Sequence, residues 1–123
     1  MIEVLVAIED SNFRDVVRTA VREVCGMQPI AAPRSNLATL LAASPNVGAV
    51  IVEFNPVRDG PLIAQLREIS RSISIFAVVH RPDRSRITRL KIEHTLDAVI
   101  ATPLDPYDLA RRLRRIPDLL PAP

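Results

Sequence analysis

Five short apolar runs, each almost unbroken by polar residues, constrain this chain more than any other feature. They cover residues 2–8, 28–31, 49–54, 73–79 and 98–101. A strand facing water on one side alternates apolar and polar residues. A continuous Val/Ile/Leu/Ala run instead predicts burial on both faces, and so a parallel sheet. Segments with helical periodicity separate the runs. In the first, Phe13, Val16, Val17, Ala20, Val21, Val24 and Cys25 form one stripe, with Arg14, Arg18, Arg22 and Glu23 on the opposite face. Ser11 or Asn12 is placed to cap its start, with Asp10 a partial alternative, and Gly26 falls where a left-handed residue ends a helix.

The second helical segment centres on Leu37, Leu40 and Leu41. The third spans residues 62–71, with Leu62, Ile63, Leu66 and Ile69 inward. A fourth follows Pro82-Asp83 and sets Ile87 and Leu90 among Arg84, Arg86, Arg89 and Lys91. A fifth opens at Asp105-Pro106, carries Leu109, Leu113 and Ile116, and stops at Pro117. Strict strand–helix alternation with right-handed crossovers predicts a three-layer (βα)5 α/β domain over residues 1–116, with 117–123 a tail or the start of a linker. The expected strand order is 2-1-3-4-5. Its switch point lies between strands one and three, and ligands bind beyond the strand ends there. Glu9-Asp10 and Glu53 occupy those two ends, so topology alone brings three carboxylates together.

Composition removes several function classes. No apolar run approaches the ~20 residues of a membrane span. The opening MIEVLVAIED has acids inside its apolar stretch and no basic start, so it reads as a strand and not as a signal peptide. One cysteine, Cys25, allows no intrachain disulfide and suits a reducing, cytoplasmic setting. It lies on the apolar stripe, as a small core residue would. Cys25, His80 and His94 lack zinc-site spacing. The net charge of +2 comes from fourteen acids against fifteen arginines and the single Lys91. Those bases are scattered except at Arg111, Arg112, Arg114 and Arg115, and aromatics are only 3% of the chain, so a nucleic-acid surface is not expected. The glycines are Gly26, Gly48 and Gly60. None follows strand one, which rules out a phosphate cradle of the Rossmann or P-loop kind there.

Three carboxylates in close proximity repel unless a cation, a proton or a basic side chain intervenes. An oxygen-only set suits Mg²⁺ or Ca²⁺. The plainer alternative is that these acids solvate loops and cap helices. His80 falls at the mouth of this pocket and could titrate against Glu53; the plainer reading there is a loop histidine. His94 reads as a helix-surface residue.

The acidic pair Glu9-Asp10, the stretch AVIVEFNPVRDG at 49–60 and the stretch DAVIATPLDPYDL at 97–109 together resemble the receiver domain of bacterial two-component response regulators. The resemblance runs from strand one through helix five and implies a flavodoxin-like fold. It also implies a phosphoryl-acceptor aspartate ending strand three, Mg²⁺ on the acidic pair, a Ser/Thr after strand four and a lysine after strand five. Here the acceptor position holds Glu53, the Ser/Thr position falls on Val79 or His80, and the lysine position is Thr102, followed by Pro103. The position of the activation-reporting aromatic falls near Val99. Lys91, the only lysine, is on the fourth helix; Arg58 or Arg81 could reach in from loops.

Glutamate is one methylene longer than aspartate and reaches roughly 1.5 Å further, toward where a phosphoryl group would sit. This makes Glu53 a candidate mimic of the activated state, or part of a relaxed pocket. The expected function is an atypical receiver-like, non-enzymatic signalling domain that needs no cofactor and acts by protein–protein contact. Its expected partner is a sensor kinase, an output domain or a second copy. The surface implied by the resemblance is helix four, strand five and helix five, carrying Arg89, Lys91, Asp97, Asp108, Arg111 and Arg112. One competing expectation is a phosphorylatable receiver using Glu53, with Mg²⁺ on Glu9, Asp10 and Glu53. A second is a nucleic-acid-associated regulator using the arginines of helices four and five.

Overall fold

The apolar runs become five parallel strands: β1 (Glu3–Ala7), β2 (Gln28–Ala31), β3 (Val47–Glu53), β4 (Ser74–His80) and β5 (Ala98–Thr102). They form one sheet in the order β2-β1-β3-β4-β5, as the sequence pattern predicts. The computed structural model describes residues 2–55, 58–80, 89, 90, 93, 96–102, 111 and 114, with the backbone alone at Val24 and Cys25. The expected fourth and fifth helices lie almost wholly outside these residues, as do His94, Pro103 and the tail. Of these segments, Arg89, Leu90, Glu93, Arg111 and Arg114 are described; the first four are helical and Arg114 is in a turn.

Alternate strand residues fill two cores, one on each face of the sheet. Val4, Val6, Ile8, Ala49, Ile51, Phe76, Val78 and Ile100 pack under α1 (Ser11–Cys25), against Val17 and Val21. Leu5, Ala7, Val50, Val52, Ile75, Ala77, Val79 and Val99 face the other way. They meet Leu37 and Leu41 of α2 (Leu37–Ala43) and Ile63 and Leu66 of α3 (Gly60–Ile69). Each buried Val, Leu, Ile or Phe among them contributes about 1.5–3 kcal/mol by burial. This two-faced burial is why the runs show no alternation.

Helix α1 departs from the expected detail in two ways. Its N-cap is Asp10, whose side chain accepts the Phe13 N–H at 2.8 Å. Ser11 is already inside the first turn. Val16 is exposed, because the helix meets the sheet along the Val17–Val21 line and a residue 100° away points past it. Ile69, likewise expected inward, is exposed at the last turn of α3. Gly26 ends α1 in the left-handed region at φ 65°, and its N–H returns to the Val21 carbonyl.

Candidate functional site

The register of the sheet determines which side chains meet beyond its C-terminal edge. Ala7 lies beside Val52, Glu53 beside Val78, and His80 beside Thr102. Four strand ends therefore present Glu9, Glu53, His80 and Thr102 to a common space. Val79 is buried among the core side chains, so of the two residues expected to line this space after β4, His80 is the one that does. Val99 is likewise core.

Glu53 is the hub. Its Oε1 accepts the backbone N–H of Glu9, and its Oε2 lies 2.7 Å from Nε2 of His80. The other ring nitrogen, Nδ1, lies 2.7 Å from Oγ1 of Thr102. An ionised carboxylate only accepts, so the ring proton facing Glu53 belongs on Nε2. The result is a hydrogen-bonded chain across the ends of β1, β3, β4 and β5. The positions expected to carry the acceptor, the hydroxyl and the lysine all belong to it. A small cavity of about 170 Å³ opens beside it, lined by Glu9, Glu53, His80, Arg34 and Arg58 among others.

The three acids are not a cluster of free carboxylates. Asp10 is committed to the cap of α1, and both oxygens of Glu53 are committed to protein donors. As arranged, these residues do not fit an Mg²⁺ cage without first releasing those bonds. Among the described residues no group of three His, Cys, Asp or Glu side chains is set to hold a metal ion.

A second polar centre lies close by, at an acid that enters the sequence pattern only as part of the stretch at 49–60. Asp59 precedes α3 and looks like a helix cap, yet its carboxylate makes no cap bond. It turns inward, where its Oδ2 accepts the Asn55 N–H at 2.7 Å. Its Oδ1 takes both the Arg34 guanidinium and Nε of Arg58, the latter at 3.2 Å. Burial alone would raise its pKa. The Asn55 amide, the hydrogen bond and charge of Arg34, and the Arg58 side chain outweigh that and hold the carboxyl below its ordinary range. Arg58 thus lines the cavity but is paired with Asp59. The only sequence signal for this clamp is a solitary acid in the loop ahead of Gly60-Pro61.

On the expected partner surface, Asp97 is bound within the chain. Its Oδ2 accepts the Ile75 N–H at 2.6 Å and the Arg67 guanidinium at 2.9 Å, joining α3, β4 and β5. Arg89 is exposed and pairs with Glu93 one turn on, at 2.7 Å. Arg111 is exposed on helical backbone. Lys91, Asp108 and Arg112 lie outside the described residues. No helix among the described residues is long and apolar enough to cross a membrane.

No protein-family model matches the chain, and no curated protein sequence matches it. Solved structures do. A pilus assembly-related protein of Burkholderia pseudomallei superposes with a TM-score of 0.78 at 14% identity, covering 99% of this chain and 93% of that one. An orphan response regulator of H. pylori gives 0.76 at 18% identity, covering 98% and 97%. A CheY-like protein of Pseudomonas aeruginosa gives 0.73 at 15% identity, covering 94% and 99%. At these identities the likeness establishes the fold, which is the CheY-like receiver architecture of response regulators.

Proposed function

We propose that this chain is an atypical receiver-like signalling domain that works by protein–protein contact without being phosphorylated. The observation that carries the reading is the chain Glu53–His80–Thr102. In the receiver scheme the hydroxyl and the lysine at these positions serve the phosphoryl group on the acceptor. Here the residues at those positions bond directly to one another. To accept a phosphoryl group, one Glu53 oxygen would have to leave its present partner, the Glu9 amide or His80. No ammonium stands at Thr102 to offset the added charge.

The same contacts support Glu53 as a built-in stand-in for the phosphorylated acceptor. A mimic needs a side chain that senses it, and the His80 ring touches the carboxylate and passes the contact to Thr102. The strand ends would then be held in one arrangement for a partner protein to read.

Mass spectrometry after incubation with a small acyl phosphate and Mg²⁺ tests the reading. The expected result is a chain of unchanged mass, with and without Mg²⁺. A stable phosphoryl adduct on Glu53 would overturn it in favour of a working phosphorelay receiver.

A further inference from the structure

A larger cleft adjoins the site just described and plays no part in that reading. It has a volume of about 630 Å³ and lies beyond the ends of β1 and β2. Its lining includes the apolar residues Ile8, Ala32 and Pro33, with Ile8 and Ala32 nearly excluded from solvent. Three guanidinium groups from three separate elements also line it: Arg14 from the first turn of α1, Arg34 from the turn after β2 and Arg58 from the loop after β3.

Charge within the cleft is unbalanced. Arg34 and Arg58 share a single carboxylate oxygen of Asp59. Arg14 donates Nη1 to the Ile8 carbonyl at 3.3 Å and has no carboxylate partner among the described residues. Glu9 is the one acid in the lining. Each guanidinium carries five donors in a fixed fork, so most of this donor capacity is left over. A carboxylate has two oxygens to offer such a rim. A phosphomonoester has three terminal oxygens and up to two charges, and guanidinium forks match it in geometry. The volume lies within the ordinary range for small-molecule sites, and the apolar lining gives the organic part of a ligand a surface to bury.

We propose that this cleft binds a phosphomonoester of mononucleotide size, its phosphate held by Arg14 and Arg58 and its organic part against Ile8, Ala32 and Pro33. Glu9, Arg34 and Arg58 also line the smaller cavity beside Glu53. A bound ligand would therefore press on the Glu53 chain, a consequence that rests on the function proposed above; the binding itself does not.

Calorimetric titration of the chain with AMP, ribose 5-phosphate, inorganic phosphate and adenosine tests the proposal. Expected are saturable binding of at least one of the two phosphomonoesters, weaker competition by inorganic phosphate, and no binding of adenosine. Arg14→Gln and Arg58→Gln should each weaken phosphomonoester binding by about tenfold, the scale of one lost charged hydrogen bond. Arg22→Gln, at an arginine in the last turn of α1 that does not line the cleft, should leave the affinity unchanged, which separates specific binding from a general loss of positive charge. No saturable binding by either phosphomonoester would overturn the proposal. So would affinities that the two arginine substitutions leave unchanged, or adenosine binding as well as AMP does.

Discussion

A single carboxylate fastens the loops around the candidate site. Asp59 is 4% exposed and its Arg34 partner 24%, so this pair is closer to a buried ion pair than to a surface one. Removing one partner of a buried pair costs about 3–5 kcal/mol; because Arg34 can turn partly to solvent, Asp59→Asn should fall near the bottom of that range. The pH dependence follows from the lowered pKa. The ionised form is the one that Asn55, Arg34 and Arg58 hold, so the stabilisation is complete above about pH 4, the ordinary carboxyl value. It is lost as pH falls through the lower folded-state value. Urea denaturation between pH 6 and pH 2 should show the wild type losing its advantage over Asp59→Asn in that acid window. A gap that stayed constant through it would mean the charge is not what stabilises the loop. Residues of this kind were the hardest to read from sequence. The meeting of Glu9 with Glu53 followed from strand order alone. The choices of partner did not: Asp10 turns to its helix and Asp59 away from its own, and one bond rotation decides each. His80 reads as a loop histidine until the register puts it beside Thr102.

At the scale of elements, the strands were legible because burial on both faces leaves an unbroken apolar signature. The helix stripes were legible only in part. A periodic stripe can be wider than the line of contact, and Val16 and Ile69 mark that excess. Termination of α1 was the clearest local signal, since a left-handed residue is cheap only for glycine. A Cβ built on Gly26 would meet nothing within 4 Å, so substitution there costs backbone strain without collision. Gly26→Ala should destabilise the fold by about 1 kcal/mol, and Gly26→Asn by less, because asparagine tolerates this region. Thermal or urea midpoints of the two variants provide the check. Equal losses would place the cost in the missing flexibility of glycine and not in its handedness.

For the whole molecule, fold and chemistry separate. The parallel sheet has the receiver strand order, while the side chains at its C-terminal edge differ from those that the resemblance implies. If only those side chains divide this chain from a phosphorylatable receiver, restoring them should restore the reaction. Glu53→Asp shortens the acceptor and frees it from His80, His80→Thr supplies a hydroxyl, and Thr102→Lys supplies the ammonium. None of the three positions is in the packed core, His80 being 56% exposed, Thr102 partly exposed and Glu53 18% exposed, so the triple variant should fold with a circular dichroism spectrum like the parent's. Given an acyl phosphate and Mg²⁺, it should gain the mass of one phosphoryl group at position 53. Glu53→Asp alone should gain little, because neither phosphate partner is then present. A folded triple variant that stays unmodified would show that the change goes deeper than these three side chains, with Asp10 the first place to look, since its carboxylate caps α1 and would have to leave that cap to hold the metal.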